Sequence, residues 1–189
     1  RVLSVWHASE PKRSAVAGVD GLSGVTKASK TTYELDKETR IRKSDSVLYT
    51  STVYPSNYGV SPRTYADDGD PLDVLVLCNE SIYPMTLVNC YPIGVIKMVD
   101  SGALDEKIIA IPFKDPTYNG YYDIQELPKH LFDEMMHFFE VYKSLEHKKT
   151  TVKEIAHREE ANELIKKCMK RYDERFGAQP CTIRTFPAQ

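Results

Sequence analysis

The chain is poor in the features that would classify it at a glance. Its four cysteines, at positions 78, 90, 168 and 181, form no Cys-x-x-Cys pair. That spacing argues against a disulfide framework and suits buried thiols in a reducing compartment. Positive charge is not in excess: 25 Lys and Arg face 27 Asp and Glu, for a net charge of −2 and a pI near 6.2. With no basic stripe either, nucleic acid is excluded as the expected partner. No apolar run approaches the length of a membrane span, and no internal repeat is visible. What remains is a chain of 189 residues, 41% hydrophobic, able to bury one sizeable core.

Against this background one stretch stands out. Asp68-Gly69-Asp70-Pro71-Leu72-Asp73 crowds three carboxylates together just before Val74-Leu75-Val76-Leu77-Cys78, a short run with the β-branched content of a buried strand. Asp, Gly and Pro are ordinary turn residues, so in isolation the motif reads as a solvated loop. An EF-hand is excluded, because Leu72 falls on a ligand position and Asn79 stands where Glu is required. A phosphotransferase of the Asp-x-Asp type would carry its aspartates after the strand. Carboxylates packed at a strand mouth push one another toward protonation unless a cation joins them. All-oxygen donors favour a hard ion, magnesium or manganese.

A second acidic loop follows. Residues 85–99 are largely apolar, and Asp100 and Asp105 lie beyond them, ahead of a strand over 107–113. Two acidic loops flanking neighbouring strands can converge on one metal cluster. Residues 29–113 read as β-rich, with strands at 31–35 and 47–54. Pro128 and the spacing of Leu131, Met135, Phe138, Phe139, Tyr142 and Leu145 predict a helix. A second helix is expected over about 157–176, with Ala161, Leu164, Ile165, Cys168 and Tyr172 on one face and Gly177 as its stop. The expected fold class is α+β, a small OB-like five-stranded β-barrel with two C-terminal α-helices.

With these blocks in order, the chain resembles the soluble family I inorganic pyrophosphatases, closest to the plant-like type. The resemblance spans about Lys27 to Phe176. It is carried by the aspartate motif, by Tyr33-Glu34-Leu35-Asp36-Lys37 and Tyr54-Pro55-Ser56-Asn57-Tyr58-Gly59, and by Gly94-Val95-Ile96-Lys97-Met98 and His137-Phe138-Phe139-Glu140-Val141-Tyr142-Lys143. It implies magnesium-dependent hydrolysis of pyrophosphate to two phosphates, with Mn2+ as the alternative ion. By position, the resemblance makes Asp68, Asp73 and Asp105 metal ligands, Asp100 a ligand for further metals arriving with substrate, and Asp70 the base for the attacking water. It makes Tyr58, Lys107, Tyr142 and Lys143 the phosphate contacts, and Glu34 part of the surrounding polar shell.

Three positions depart from the family pattern. Thr32 replaces a lysine, Ser46 replaces an arginine, and the family glutamate falls near Ser23 or Gly24, where no acidic residue stands. Lys30 lies roughly 6–7 Å from Thr32 along a strand, and Arg42 roughly 13 Å from Ser46, too far to substitute. The expectation is therefore a catalytically weak or inactive pyrophosphatase-family protein, kept as an interaction subunit of a larger assembly. The alternative is an active magnesium-dependent enzyme. Residues 1–26 and 177–189 flank the domain at 27–176 as an extension and a tail that could dock protein partners, or a second copy in an oligomer. The chain begins at Arg1, and residues 1–24 carry Ser4, His7, Ser9, Lys12, Arg13 and Ser14 with little acid. That composition resembles the region around an organellar cleavage site, so the expected location is cytoplasm or an organelle matrix, in mitochondrion or plastid.

Overall fold

The computed structural model describes residues 18–35 and 41–177, with Leu35 described in its backbone only. In chain order the elements are β1 (Val19–Val25), β2 (Thr31–Leu35), β3 (Arg42–Val47), β4 (Asn57–Val60), β5 (Asp73–Val76), β6 (Leu87–Asp100), β7 (Ala103–Pro112), α1 (Lys129–Val141), β8 (Thr150–His157) and α2 (Arg158–Phe176).

The sheet order is β1-β4-β5-β7-β6-β8, and β1 also pairs with β6. That extra pairing closes β1, β4, β5, β7 and β6 into a five-stranded barrel, an α+β OB-like fold with two C-terminal helices, as expected. One long strand makes closure compatible with an added edge. The first part of β6, Leu87–Cys90, pairs with β1, and its second part, Gly94–Asp100, pairs with β8. The changeover falls at Pro92, which has no N–H to donate, and at a register shift between Pro92 and Gly94. β1 and β4 approach so closely that a Cβ on Gly59 would lie 1.9 Å from the Leu22 carbonyl oxygen. β2 and β3 form a separate two-stranded hairpin.

Alternation along the strands sorts side chains to two faces. Leu75, Leu77, Ile109 and Ile111 join a core with Phe132, Met135, Phe138 and Phe139 of α1. Val74, Val76, Ile108 and Ala110 face Ala161, Leu164, Ile165 and Cys168 of α2. Asp73, Asp105 and Lys107 continue the α1-side rows of β5 and β7. The acidic site is thus the polar end of an otherwise apolar face.

Four strands escaped the sequence reading, β1, β3, β4 and β8, though β3 and β4 fall in the region expected to be β-rich, and one expected strand did not form. β1 lies inside residues 1–26, so the expected N-terminal extension contributes a barrel strand in its last residues. β8 precedes α2 directly and alternates buried and exposed residues over part of its length. The strand expected over 47–54 is absent, since β3 ends at Val47. There the Thr52 N–H donates to Thr50 Oγ1, and Leu48 and Tyr54 donate to the Lys30 and Ser29 carbonyls. The Thr52–Thr50 bond is local and competes with a ladder. The remaining extension, residues 1–17, and the tail at 178–189, including Cys181, lie outside the described residues. No helix among the described residues is long and apolar enough to cross a membrane.

Candidate active site

The centre of the site is set by strand register. β5 and β7 run parallel, and Asp73 pairs with Lys107. Asp105 lies two residues before Lys107, on the same face of β7. The Lys107 ammonium donates to Asp73 Oδ2 at 2.7 Å and to Asp105 Oδ1 and Oδ2 at 2.8 and 2.9 Å. It also reaches the Tyr58 hydroxyl oxygen at 3.3 Å, while that hydroxyl donates a very short hydrogen bond to Asp73 Oδ2. Lys107 is 2% exposed. Burial opposes its charge, but Asp73, Tyr58 and Asp105 together outweigh burial and hold its pKa well above the ordinary lysine value. Burial and the Asp73 charge push the Tyr58 hydroxyl up, so it stays protonated and serves as a donor.

The aspartate motif forms a turn in which the Asp70 N–H donates to Asp68 Oδ1 at 3.0 Å, with Gly69 at φ 90°. Asp70 has its pKa raised, by burial first and then by the charges of Asp68 and Asp73. That is the direction a general base needs. Asp100 ends β6, and the two-residue turn of Ser101 and Gly102, both with positive φ, fixes its place opposite Ala103. Lys143, just past α1, donates to Asp100 Oδ2. Burial pushes the Asp100 carboxyl up, and its bonds from Lys143 and Ser101 outweigh this and hold it below the ordinary range. Tyr142, the C-terminal cap of α1, is buried, and its pKa is raised by burial against the opposing charge of Lys107. Asp68, Asp70, Asp73, Asp100, Asp105, Tyr58, Lys107, Tyr142 and Lys143 therefore share one site, linked by contact or by mutual charge.

Glu34 stands apart from that network. It is exposed on the hairpin and pairs with Lys43 at 3.6 Å. Thr32 and Ser46 lie directly opposite each other, paired across β2 and β3. Their hydroxyl oxygens are 2.7 Å apart, the Ser46 N–H donates to Thr32 Oγ1 at 3.0 Å, and Asp45 Oδ2 lies 3.2 Å from Thr32 Oγ1. Arg42 stacks over the Tyr33 ring, 5.0 Å from its centroid. Ser23 is buried with no hydrogen-bond partner for its hydroxyl among the described residues.

One member was missed. Tyr54 is 5% exposed and packs on Tyr58 and Phe138 at centroid distances of 5.3 and 4.8 Å. Its pKa is pushed up to about 12 by burial, against the opposing charge of Lys107 and with Asp73 and Asp45 adding to the rise. The available signal was its place four residues before Tyr58 in the same motif.

Asp73 and Asp105 offer oxygen donors of the kind a hard divalent cation takes, and both are already turned onto one cation, the Lys107 ammonium. Among the described residues no three acidic, His or Cys side chains close to metal-coordinating geometry.

A closed OB-like barrel with two C-terminal helices and a carboxylate-rich site is the class of the soluble inorganic pyrophosphatases. The family described as "Inorganic pyrophosphatase" matches residues 23–173, and the chain belongs to that family. It is 43% identical over 171 residues to soluble inorganic pyrophosphatase 2 of Chlamydomonas reinhardtii, covering 90% of this chain and 89% of that one. Soluble inorganic pyrophosphatase 1 of Arabidopsis thaliana is 43% identical over 169 residues, covering 89% and 80%. The solved inorganic pyrophosphatase of Helicobacter pylori superposes with a TM-score of 0.80 at 39% identity, over 84% of this chain and 95% of that one.

Proposed function

We propose that the chain binds magnesium, with manganese as a substitute, and hydrolyses pyrophosphate slowly because its phosphate grip is weakened. Asp68, Asp73 and Asp105 would hold the metal, and Asp100 would join once substrate adds negative charge. The bound ion would acidify a water and neutralise phosphate oxygens. Asp70, whose pKa is raised by burial and by the charges of Asp68 and Asp73, would serve as the base for a water held there. Tyr58, Lys107, Tyr142 and Lys143 face the phosphate oxygens, whose charge must be offset before another anion can attack.

The observation that carries the weakened grip is the Thr32–Ser46 pair. Two neutral hydroxyls, bonded to each other and beside Asp45, stand where the resemblance leads one to expect a lysine and an arginine. Charge-assisted hydrogen bonds contribute about 1.5–3 kcal/mol each, so two absent ones cost about 3–6 kcal/mol. Felt in the transition state, that is about 10²- to 10⁴-fold in rate. The test is pyrophosphate hydrolysis with and without Mg2+, using Asp70→Asn as the blank. Rates of an ordinary pyrophosphatase, abolished in Asp70→Asn, would overturn the weakened grip.

A second reading, an interaction subunit of a larger assembly, is favoured by the surface around the same hairpin. Ile41, Val47, Tyr49 and Val53 are 67%, 53%, 70% and 41% exposed, an apolar density that partner surfaces carry. A monomer at all accessible concentrations in light scattering, with no co-purifying protein, would count against it.

A further inference from the structure

The catalytic reading gives Lys107 to the phosphate, yet its ammonium is bonded to two of the carboxylates assigned to metal. We propose that Lys107 is a built-in counter-cation of the acidic site, which a divalent metal must displace, so that the lysine meets an anionic substrate only after the metal has arrived. The proposal rests on the reading of Asp73 and Asp105 as metal ligands.

Three carboxylate oxygens lie 2.7, 2.8 and 2.9 Å from the Lys107 nitrogen. A magnesium ion takes its oxygens at about 2.0–2.1 Å and demands near-octahedral order. It competes for the same lone pairs, and an ammonium left among them would repel it at contact range. Lys107 is also the reason that the carboxylates of Asp73 and Asp105 sit as they do, each turned onto one nitrogen rather than onto a shared coordination point.

The displaced ammonium has somewhere to go. Its nitrogen already lies 5.4 Å from the Tyr58 ring centroid and 5.2 Å from that of Phe139. Aromatic faces hold a cation without claiming oxygen lone pairs. A small rotation of the side chain exchanges carboxylates for these faces and leaves the charge inside the site. The Lys143–Asp100 pair repeats the arrangement at the neighbouring carboxylate. Both lysines assigned to phosphate thus begin as partners of aspartates assigned to metal. This coupling makes metal binding and anion binding reinforce each other, as reciprocal linkage requires.

Lys107→Met keeps the length and apolar stem of the side chain and removes the competitor. Measured by calorimetry with Mg2+ alone, affinity should rise about 10-fold or more, the worth of a charge-assisted contact set. The native chain supplies a second reading that needs no variant. Lys107 is the one lysine in the buried set among the described residues, so its ammonium should give a protected resonance in protein labelled with 15N at lysine. Saturating Mg2+ should shift or abolish that resonance. Equal or weaker Mg2+ affinity in folded Lys107→Met, with the native chain binding the ion, overturns the counter-cation and leaves the metal reading standing. An unchanged ammonium resonance at Mg2+ saturation does the same if the variant fails to fold. Absence of Mg2+ uptake by both chains removes the metal reading and this proposal together.

Discussion

The barrel side and the hairpin side of this site are built from opposite materials. On the barrel side, Asp73, Asp105 and Lys107 extend rows of core residues, and their charges are satisfied within the protein. On the hairpin side, every residue of β3 is exposed, and Thr32 and Ser46 satisfy each other with neutral hydroxyls. Removing a charge from the first side leaves a buried partner without compensation. A charge can be removed from the second without cost to the fold. Side chains on the hairpin are therefore expected to tolerate substitution better than the barrel's buried ion pairs.

The barrel's intolerance is sharpest where β1 crosses β4. Gly59→Ala would place a methyl carbon 1.9 Å from the Leu22 carbonyl oxygen and 2.9 Å from Ser23 Cα, and both obstacles are backbone. The closing strand has to move, so loss of the cooperative unfolding transition is expected, an effect above about 4 kcal/mol. Calorimetry checks it. A near-native melting temperature would break the idea that closure holds the site.

Next in size is Asp73→Ala. It strips Lys107 of one of its two carboxylates while the lysine remains 2% exposed. Breaking a buried pair from one side typically costs about 3–5 kcal/mol, measurable as a fall in urea midpoint. The same variant should lose the rise in melting temperature that Mg2+ gives the parent by mass action. Retention of that rise would mean that the ion binds elsewhere.

Much of the barrel half was legible from residue order. Asp68 through Asp73 preceded an apolar run, and both helices announced themselves by spacing and, for α2, by Gly177 at its end. The missed elements share a cause, since their stability comes from distant partners. β1 is Val-Asp-Gly-Leu-Ser-Gly-Val, glycine-poor neither in count nor in effect, and becomes a strand by pairing with β4 and β6. β8 reads as a lead-in to α2 until β6 takes it as an edge. In the site, the resemblance makes Lys107 a phosphate contact, and nothing local adds that β5 and β7 run parallel with Asp73 beside it. Likewise Thr32 and Ser46 lie 14 residues apart, and only the hairpin register brings their hydroxyls together.

That register leads to the hairpin experiment. Thr32→Lys with Ser46→Arg should raise kcat/KM by about 10-fold or more, since each added charge-assisted bond is worth about 1.5–3 kcal/mol. Directly opposed residues face the same phosphate and each other, so the two effects should not add. The melting temperature should change little, because Ser46 lies on an exposed strand and Thr32 is only partly buried. Recovery stops short of full activity if the acid absent near Ser23 is required. An unchanged rate would locate the weakness outside the hairpin and break the comparison from its other side.

The smallest effect tests whether the barrel half draws stability from a junction remote from the site. Asp123 Oδ2 accepts the Arg158 N–H at the start of α2, and Oδ1 accepts the Gln125 N–H at 3.0 Å and faces His157 Nδ1 at 2.8 Å. Burial pushes the Asp123 carboxyl up, but these bonds outweigh it and hold its pKa below the ordinary value. The hydrogen bond to Asp123 raises the His157 pKa above its ordinary value. A lowered carboxyl contributes stability that is present above its unfolded pKa, about 3.9, and is lost as pH falls through the folded one. A raised imidazole contributes stability that is full below about 6.5 and is lost as pH rises through the folded value. The pair is therefore most stabilising between about pH 4 and 6.5. His157 is solvent-exposed, so screening keeps its share small. His157→Gln should flatten the alkaline side of the stability profile and leave the acid side in place, while Asp123→Ala should remove both and loosen the start of α2. Melting temperatures of the three chains across pH 4–8, without Mg2+, read the difference. If His157→Gln keeps the alkaline slope, that slope belongs to another group, and the junction holds α2 through backbone capping alone.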